Sequence, residues 1–241
     1  MDTIGRISYH DPDDCGYHIE VEQYCTRCGI NGNRKFIAVE GPIGVGKTPL
    51  ACRIAAHFGG TLVLESPGDN PFLERYYKQP SQFALQTQLF FLFQRIRKLK
   101  ELSQDDLFAS IRITDFMLAK DPIFAELTLE PDEYELYENI YQQLAVQIPV
   151  PDLVIYLQAS VDVLAKRIRS RGMLYERNMK RAQLSRLTEA YTRYFMNYKE
   201  STLIVVNADK PGLLGSATHF DLLMERIGSI SSGRHYFNPV D

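Results

Sequence analysis

Short apolar runs alternate along the chain with longer amphipathic stretches. The strand candidates are, in order, Phe36–Glu40, Thr61–Glu65, Leu107–Thr114, Leu153–Leu157 and Leu203–Val206. Helical spacing of apolar residues marks the intervening stretches Phe83–Leu102, Pro131–Val146 and Leu184–Tyr198. Because strands that alternate with helices favour parallel pairing covered on both faces, we predict a three-layer α/β/α fold around a five-stranded parallel sheet.

The same pattern divides the chain into three segments. Residues 1–34 have no clear period and are rich in Asp, Gly, Asn and Tyr, which predicts an N-terminal extension. Residues 35–229 carry the alternating pattern and form the predicted main domain. The end of the chain, 230–241, is predicted to be a loosely held tail.

Composition narrows the class of protein. A chain of 241 residues with 45% hydrophobic and 24% charged residues is typical of a soluble globular protein. The net charge of −3 gives no general attraction to nucleic acid or to anionic membranes. No apolar run approaches membrane-spanning length, and the polar, acidic start is not a secretory signal. We therefore expect a cytoplasmic protein with no nucleic-acid or membrane partner.

Residues 41–48 read G-P-I-G-V-G-K-T, directly after the first strand candidate and before a helical pattern that starts near Leu50. This G-x-x-x-x-G-K-T spacing is the P-loop pattern, in which glycines let backbone N–H groups surround phosphate oxygens. The predicted ATP-binding residues are Gly41, Gly44, Val45, Gly46, Lys47 and Thr48. Lys47 would reach the β- and γ-phosphates, and the Thr48 hydroxyl would ligate Mg²⁺. Pro49, an unusual residue here, falls in the first helical turn, where a missing N–H is tolerated.

Two carboxylates follow strand candidates at the edge where the loop lies. Glu65 ends the second strand, and Asp115 follows the third. In parallel sheets the reactive groups gather at these carboxyl ends. Glu65 is either a proton acceptor for an attacking hydroxyl or a solvated strand-end acid. Asp115 either holds Mg²⁺ or caps a helix N-terminus.

Arginines are clustered near the end of a helical stretch that follows Ser160. Arg167, Arg169 and Arg171 precede Gly172. Guanidinium groups that close over a transferred phosphoryl group stabilise its charge, which favours an Arg-rich lid. The alternative is a solvated helix end whose charges suit the dipole.

On the long helix, Gln88 and Arg95 are two turns apart and project from one face. A Gln amide offers a donor and an acceptor side by side, as one edge of a nucleobase requires. The alternative is a pair of surface residues at the margin of the apolar stripe.

The N-terminal extension contains Cys15-x-x-His18 and Cys25-x-x-Cys28. Two close pairs of such ligands are able to form a tetrahedral Zn²⁺ site. His10 is a substitute candidate for one ligand, and the alternative to zinc is a flexible tail with free thiols. Four cysteines do not form a disulfide scaffold for a chain of this size, which favours the reduced cytoplasm.

With these residues in place, the chain from about Arg34 to Ile227 resembles the deoxynucleoside kinase family, especially its bacterial deoxyadenosine/deoxyguanosine kinase type. The matching segments include the loop 41–48, Leu64-Glu65, 70–74, 88–92, Lys120-Asp121-x-x-Phe124-Ala125, 156–159 and 167–176. The resemblance implies transfer of the ATP γ-phosphate, with Mg²⁺, to the 5′-hydroxyl of a deoxynucleoside, with a purine as the favoured base. It also implies a homodimer and a role in nucleotide salvage.

The resemblance assigns roles to single residues. Glu65 matches the general base, Tyr77 and Glu176 match the partners of the 3′-hydroxyl, and Arg167, Arg169 and Arg171 match the lid. Gln88 and Arg95 match the pair that reads the base, and Asp121 matches the acid that neutralises Arg95.

The chain departs from the family in three places. Where many members carry an acidic-Arg-Ser triplet, this chain has Thr114-Asp115-Phe116 and lacks the arginine that holds the catalytic carboxylate. The bacterial purine-type members carry a similar Ser-Asp-Tyr version, so we interpret the change as a mark of that subgroup. Met173 stands where a lid arginine is frequent, and Pro49 with the extension is the third departure.

Two other functions remain open from sequence. One is a different P-loop nucleotide kinase, similar to thymidylate kinase, although a monophosphate substrate needs an extra basic pocket for its own phosphate, and the acid Glu65 does not suit such a pocket. The other is a non-catalytic nucleotide-binding module whose extension docks a partner.

Overall fold

In the computed structural model, which describes residues 36–104, 111–146, 148–173, 176, 179–210 and 216–239, six parallel strands form one sheet. The strands are β1 (Phe36–Glu40), β2 (Thr61–Val63), β3 (Arg112–Thr114), β4 (Leu153–Gln158), β5 (Thr202–Asn207) and β6 (Arg234–Phe237). Their order in the sheet is β2-β3-β1-β4-β5-β6, so the phosphate-loop strand β1 is central.

Helices connect these strands within the described ranges. They are α1 (Lys47–Phe58), α2 (Leu73–Lys78), α3 (Pro80–Gln104), α4 (Asp121–Thr128), α5 (Pro131–Ala145), α6 (Val161–Arg171), α7 (Arg181–Asn197) and α8 (Ala217–Ser229). Short 3₁₀ helices cover Pro67–Asp69 and Leu118–Lys120. The amphipathic stretches predicted from sequence correspond to α3, α5 and α7.

The sheet is covered on both faces, as the apolar runs predicted. In β1, Ile37 and Val39 pack into a cluster with α1, α6 and α8, whereas Ala38 packs into a second cluster with α7. A third cluster joins α3 and α5 to Phe36. Because neither face of the central strands meets water, they are continuously apolar rather than alternating. The three-layer α/β/α prediction is confirmed.

The predicted number of five strands is wrong, because Arg234–Phe237 pairs with β5 as a sixth strand. This segment lies in 230–241, where we expected a loose tail. An edge strand with exposed and half-buried side chains, Arg-His-Tyr-Phe, has no apolar run to reveal it. β2 also ends at Val63, two positions before Glu65, and β3 begins at Arg112, with 105–110 outside the described residues.

Helix α1 begins where the loop ends. Gly46 precedes it in a left-handed conformation, with φ of 103°, and Gly59 follows it in the same region, with φ of 60°. Pro49 is exposed and lies in the first turn, as predicted, where its absent N–H breaks no helical hydrogen bond. Among the residues that the structure describes, no helix has the length and apolar content needed to cross a membrane.

Candidate active site

The loop between β1 and α1 has the backbone of a phosphate cradle. Gly41, Gly44 and Gly46 have φ angles of 149°, 82° and 103°, a region that favours glycine. A Cβ atom at Gly44 would lie 2.7 Å from Ile168 Cγ1 of α6, so a larger residue would push loop and helix apart. The N-terminus of α1 at Lys47 adds free N–H groups and the positive end of the helix dipole. The geometry therefore suits the predicted triphosphate site.

Lys47 turns its ammonium group into the loop. Its Nζ donates hydrogen bonds to the carbonyl oxygens of Gly41, at 2.8 Å, and Pro42, at 3.3 Å. Burial, and then the nearby Lys120 ammonium, lower the pKa of Lys47. A bound polyphosphate would counter both effects, because it brings negative charge to the ammonium group.

Thr48 and Asp115 bring two oxygen ligands together beside the loop. The Thr48 hydroxyl donates a 2.5 Å hydrogen bond to Asp115 Oδ2, and Asp115 Oδ1 accepts one of 2.8 Å from Glu65 N. Mg²⁺ prefers hydroxyl and carboxylate oxygens, so this donor set fits the cation. The alternative role of Asp115 as an N-cap is wrong, because the next helical turn, Leu118–Lys120, has Met117 as its N-cap.

Glu65 lies at the centre of a group of cations. Arg95 Nε donates to Glu65 Oε1 at 2.6 Å, and Lys120 Nζ donates to Oε2 at 2.7 Å. The Glu65 side chain is only 15% exposed, so it is not a solvated strand-end acid. Burial alone would raise the pKa of Glu65, but Arg95 and Lys120 outweigh it and hold the pKa well below its usual range.

Gln88 and Arg95, the predicted base-reading pair, are both buried on α3. Gln88 Nε2 donates a 3.2 Å hydrogen bond to Thr128 Oγ1 of α4, and Arg95 is 5% exposed. Arg95 also forms an ion pair with Asp121, which is completely buried. The surface-margin alternative for Gln88 and Arg95 is therefore wrong. The predicted pairing of Asp121 with Arg95 is present in the structure.

The arginines of α6 do not converge on one point. Arg167 donates from Nη1 to the Val45 carbonyl at 3.1 Å and from Nη2 to the Ala208 carbonyl at 2.7 Å. Arg171 Nη2 contacts both carboxylate oxygens of Glu176 at 2.6 Å. Arg169 is exposed on the helix surface. Arg167 thus adjoins the phosphate loop, while closure of the whole cluster stays a prediction.

The predicted partners of a 3′-hydroxyl lie on separate elements. Tyr77 is half-buried on α2, with its ring centroid 5.4 Å from that of Tyr76. Glu176 is buried and paired with Arg171. Met173, the departure in the lid, is half-buried. A joint contact of Tyr77 and Glu176 with a sugar stays a prediction.

Sequence reasoning assigned no role to Glu40 and Lys120. Glu40 is completely buried at the end of β1 and accepts 2.9 Å hydrogen bonds from the N–H groups of Gly41 and Met117. Lys120 Nζ lies 3.8 Å from Glu40 Oε1 and also contacts Glu65. The strand-end argument that selected Glu65 applies equally to Glu40 and would have found it. Lys120 begins the matching segment Lys120-Asp121-x-x-Phe124-Ala125, but nothing in that spacing gives it a role, because its place depends on the path of the 3₁₀ turn.

The predicted zinc ligands Cys15, His18, Cys25 and Cys28 lie outside the described residues. Within the described ranges, no group of three or more His, Cys, Asp and Glu side chains is placed to hold a metal ion. The zinc site stays a prediction.

Comparison with known proteins agrees with this geometry. The model of the family described as "Deoxynucleoside kinase" matches residues 37–231. The deoxyguanosine kinase of Bacillus subtilis (strain 168) is 32% identical over 197 residues, which cover 80% of this chain and 95% of that protein. The deoxyadenosine kinase of Lactobacillus acidophilus is 28% identical over 188 residues, covering 72% of this chain and 86% of that protein.

Solved structures of a deoxyadenosine kinase also match this chain. The structure of deoxyadenosine kinase from M. mycoides with bound dCTP matches with a TM-score of 0.70 and 27% identity, covering 81% of this chain and all of that one (100%). The structure of the same enzyme with bound dATP matches with the same TM-score of 0.70 and 25% identity, over 81% of this chain and 100% of that chain.

Proposed function

The chain belongs to the deoxynucleoside kinase family, and from this premise we propose that it transfers the γ-phosphate of ATP to the 5′-hydroxyl of a deoxynucleoside. The favoured substrate is a purine deoxynucleoside, in line with relatives that are named deoxyguanosine and deoxyadenosine kinases. Such an enzyme returns free deoxynucleosides to the nucleotide pool, which is the salvage role expected from sequence.

One observation carries the proposal: Asp115 joins the acid Glu65 to the phosphate loop. Asp115 contacts Thr48 of α1 with one oxygen and the backbone N–H of Glu65 with the other. The backbone of Glu65 is therefore joined through Asp115 to Thr48 at the end of the loop, and its carboxylate is held by Arg95 and Lys120. A hydroxyl group deprotonated at Glu65 would be beside a triphosphate bound at Lys47, as in-line transfer requires.

The side chains divide the work of the reaction. Glu65 accepts the proton of the 5′-hydroxyl as that oxygen bonds to the γ-phosphorus and the bond from phosphorus to the β–γ bridging oxygen breaks. Lys47 and the loop N–H groups would hold the phosphates, and Arg167, which donates to the Val45 carbonyl of the loop, would stabilise the charge of the transferred group. Mg²⁺ held by Thr48 and Asp115 would neutralise phosphate charge. ADP and a deoxynucleoside 5′-monophosphate are the products.

Recognition of the base is assigned to Gln88 and Arg95. Both are buried on α3, and the Gln amide provides the donor–acceptor pair that a base edge needs. Arg95 contacts Glu65 in this structure. When Arg95 hydrogen-bonds a base instead, Glu65 loses one of the cations that lower its pKa and becomes a stronger proton acceptor. Base recognition and catalysis are then coupled through one guanidinium group.

Initial rates of ADP formation test the proposal. The purified protein is assayed at fixed ATP and Mg²⁺ with deoxyadenosine, deoxyguanosine, deoxycytidine and thymidine. We expect turnover, with the higher kcat/KM for a purine. The corresponding monophosphates are the control, since a thymidylate kinase-like enzyme would prefer them. ATP binding without turnover on any of the four deoxynucleosides would reject the proposal and favour a non-catalytic nucleotide-binding module.

We also propose a homodimer that works in the cytoplasm. Phe93 on α3 and Leu136 on α5 are 53% and 50% exposed, and apolar side chains exposed on adjacent helices favour self-association. Light scattering of the purified protein measures its mass. A dimer that Phe93→Glu converts to a monomer would support this surface as the interface, whereas a monomeric wild type would contradict it.

A further inference from the structure

We propose that Lys120 is a positioning residue for this reaction, whose ammonium group fixes the Glu65 carboxylate toward the phosphate loop. This inference rests on the proposed function, because it assigns Lys120 a part in activating the same hydroxyl. Lys120 acts through Glu65 and need not touch the substrate.

The ammonium group is buried between two acids. Lys120 is 3% exposed, and its Nζ lies 2.7 Å from Glu65 Oε2 and 3.8 Å from Glu40 Oε1. A lysine is seldom buried without a reason, because removing the charge from water costs several kcal/mol unless it is paired. Here the pairing joins the acid assigned to catalysis with the acid at the entrance of the loop.

The two oxygens of Glu65 have different cations. Arg95 contacts Oε1, and Lys120 contacts Oε2. Arg95 is shared with Asp121 and is the residue assigned to the base, so its hold on Glu65 depends on what else it binds. Lys120 has no such second task in the proposed mechanism. When Arg95 turns to a base, Lys120 is the cation that keeps the carboxylate in place.

The backbone that carries Lys120 is itself fixed to the loop. Met117 N donates to Glu40 Oε1 at 2.9 Å, and Lys120 N donates to the Met117 carbonyl at 3.3 Å. Glu40 Oε2 accepts from Gly41 N, the first glycine of the loop, at 2.9 Å. The 3₁₀ turn, the loop entrance and the ammonium group therefore form one connected unit, which limits the freedom of the Glu65 carboxylate.

This unit also compensates for the triplet Thr114-Asp115-Phe116 at the end of β3. That segment has no arginine to hold Glu65, and Asp115 is engaged with Thr48. The positive charge comes instead from the turn that precedes α4. Lys120 thus supplies, from the 3₁₀ turn, the positive charge that the end of β3 does not provide to Glu65.

Substitution of Lys120 tests the proposal by separating rate from binding. We expect Lys120→Met to lower kcat by about 10²-fold, in the range for misplacing a general base, and to leave the KM for ATP nearly unchanged. Lys120→Arg keeps the charge and should recover a large part of kcat. Lys199→Met, an exposed lysine before β5 at the opposite edge of the sheet, is the matched control. An unchanged kcat in Lys120→Met, or Lys120→Arg no better than Lys120→Met, would overturn the inference.

A double-mutant cycle with Glu65→Gln decides whether Lys120 acts through Glu65. If it does, adding Lys120→Met to Glu65→Gln lowers kcat by no more than about twofold, the usual scatter of such cycles. If the two losses multiply, Lys120 has a separate role and the inference is wrong. The double variant also removes both charges together, whereas Lys120→Met alone leaves Glu65 Oε2 without its cation and only Arg95 on the carboxylate. Thermal unfolding is followed for every variant, and Lys120→Gln replaces Lys120→Met if the latter does not fold.

The proposed function and this inference fail in distinguishable ways. A wild-type protein with no turnover on any deoxynucleoside rejects the function. An active wild type whose Lys120 variants have its kcat rejects only the role of Lys120.

Discussion

The ends of β1 and β2 carry the same chemical group in two different settings. Glu40 ends β1 and is completely buried, and Glu65 follows β2 and is largely buried. Glu40 accepts hydrogen bonds from two backbone N–H groups and the Tyr191 hydroxyl, whereas Glu65 is held by Arg95 and Lys120. Burial raises the pKa of Glu40 despite Lys120 and Lys47, but the cations around Glu65 lower its pKa.

The difference indicates that partners, rather than position, divide the work between these acids. Glu40 has its oxygens occupied by donors that hold the loop entrance, so we assign it a structural task. Glu65 has charged partners that keep it ionised beside the phosphate loop, so we assign it the proton transfer. If this division is correct, substitutions at the two positions should damage different properties of the protein.

The largest expected effect is the loss of kcat in the Glu65→Gln variant. An amide cannot accept the hydroxyl proton, so kcat should fall by at least about two orders of magnitude, the typical contribution of general base catalysis. ATP binding should stay close to that of the wild type, since the loop is unchanged. Steady-state kinetics and calorimetric titration with ATP measure the two quantities. Glu225→Gln, an exposed acid on α8, is the control. A Glu65→Gln enzyme with wild-type kcat would contradict the assignment of Glu65 as the proton acceptor.

Glu40→Gln should instead lose stability. Both carboxylate oxygens accept hydrogen bonds, and the NH₂ group of Gln would face a donor on one side. Leaving a buried donor unsatisfied costs about 1–3 kcal/mol of unfolding free energy. Urea unfolding measures this loss, and kcat of the folded enzyme should fall much less than in Glu65→Gln. The structural role of Glu40 would be contradicted if Glu40→Gln were as inactive as Glu65→Gln and as stable as the wild type.

A smaller effect is expected at Tyr191, whose hydroxyl donates to Glu40 Oε2 at 3.3 Å. Tyr191→Phe removes that donor and should lower the free energy of unfolding by about 1 kcal/mol. Tyr194 on the same helix is the control, because its buried hydroxyl has no hydrogen-bond partner among the described residues. Tyr194→Phe should be neutral or slightly stabilising. Equal losses in both variants would show that the Glu40 contact contributes nothing.

The smallest effect concerns pH. A carboxyl group whose pKa is raised by folding binds its proton more tightly in the folded protein than in the unfolded chain. As the pH falls through the raised pKa toward the ordinary value of 4.5, the folded wild type gains stability that Glu40→Gln does not gain. The difference in unfolding free energy between wild type and Glu40→Gln should therefore grow as the pH is lowered. Urea unfolding at several pH values measures it, and a constant or shrinking difference would contradict the raised pKa.

Much of the fold could be predicted, because local patterns determine it. The buried run Phe36–Glu40 and the glycines around α1 mark their elements without any knowledge of neighbours. β6 could not be found in this way, because an edge strand needs only one covered face and its residues Arg234–Phe237 are exposed or half-buried. Its place depends on pairing with β5, from which α8 separates it along the chain.

The site was predicted less completely, for a related reason. Strand ends pointed to Glu65 and Asp115, and the structure brings both beside the loop. The contact of Arg95 with Glu65 could not be foreseen, because it joins α3 to the end of β2 and depends on how the helix packs. The same is true of Lys120, whose side chain reaches Glu65 from a turn that has no periodic signal.

Asp115 has one further consequence, for the energetics of ligand binding. One short side chain contacts both Thr48 at the nucleotide side and Glu65 at the acceptor side. If filling one side shifts Asp115, the affinity on the other side changes, and thermodynamic linkage requires the two affinities to change by the same factor. The nucleotide site and the site of the phosphate acceptor would then each change the affinity of the other, with the Asp115 carboxylate as the connection.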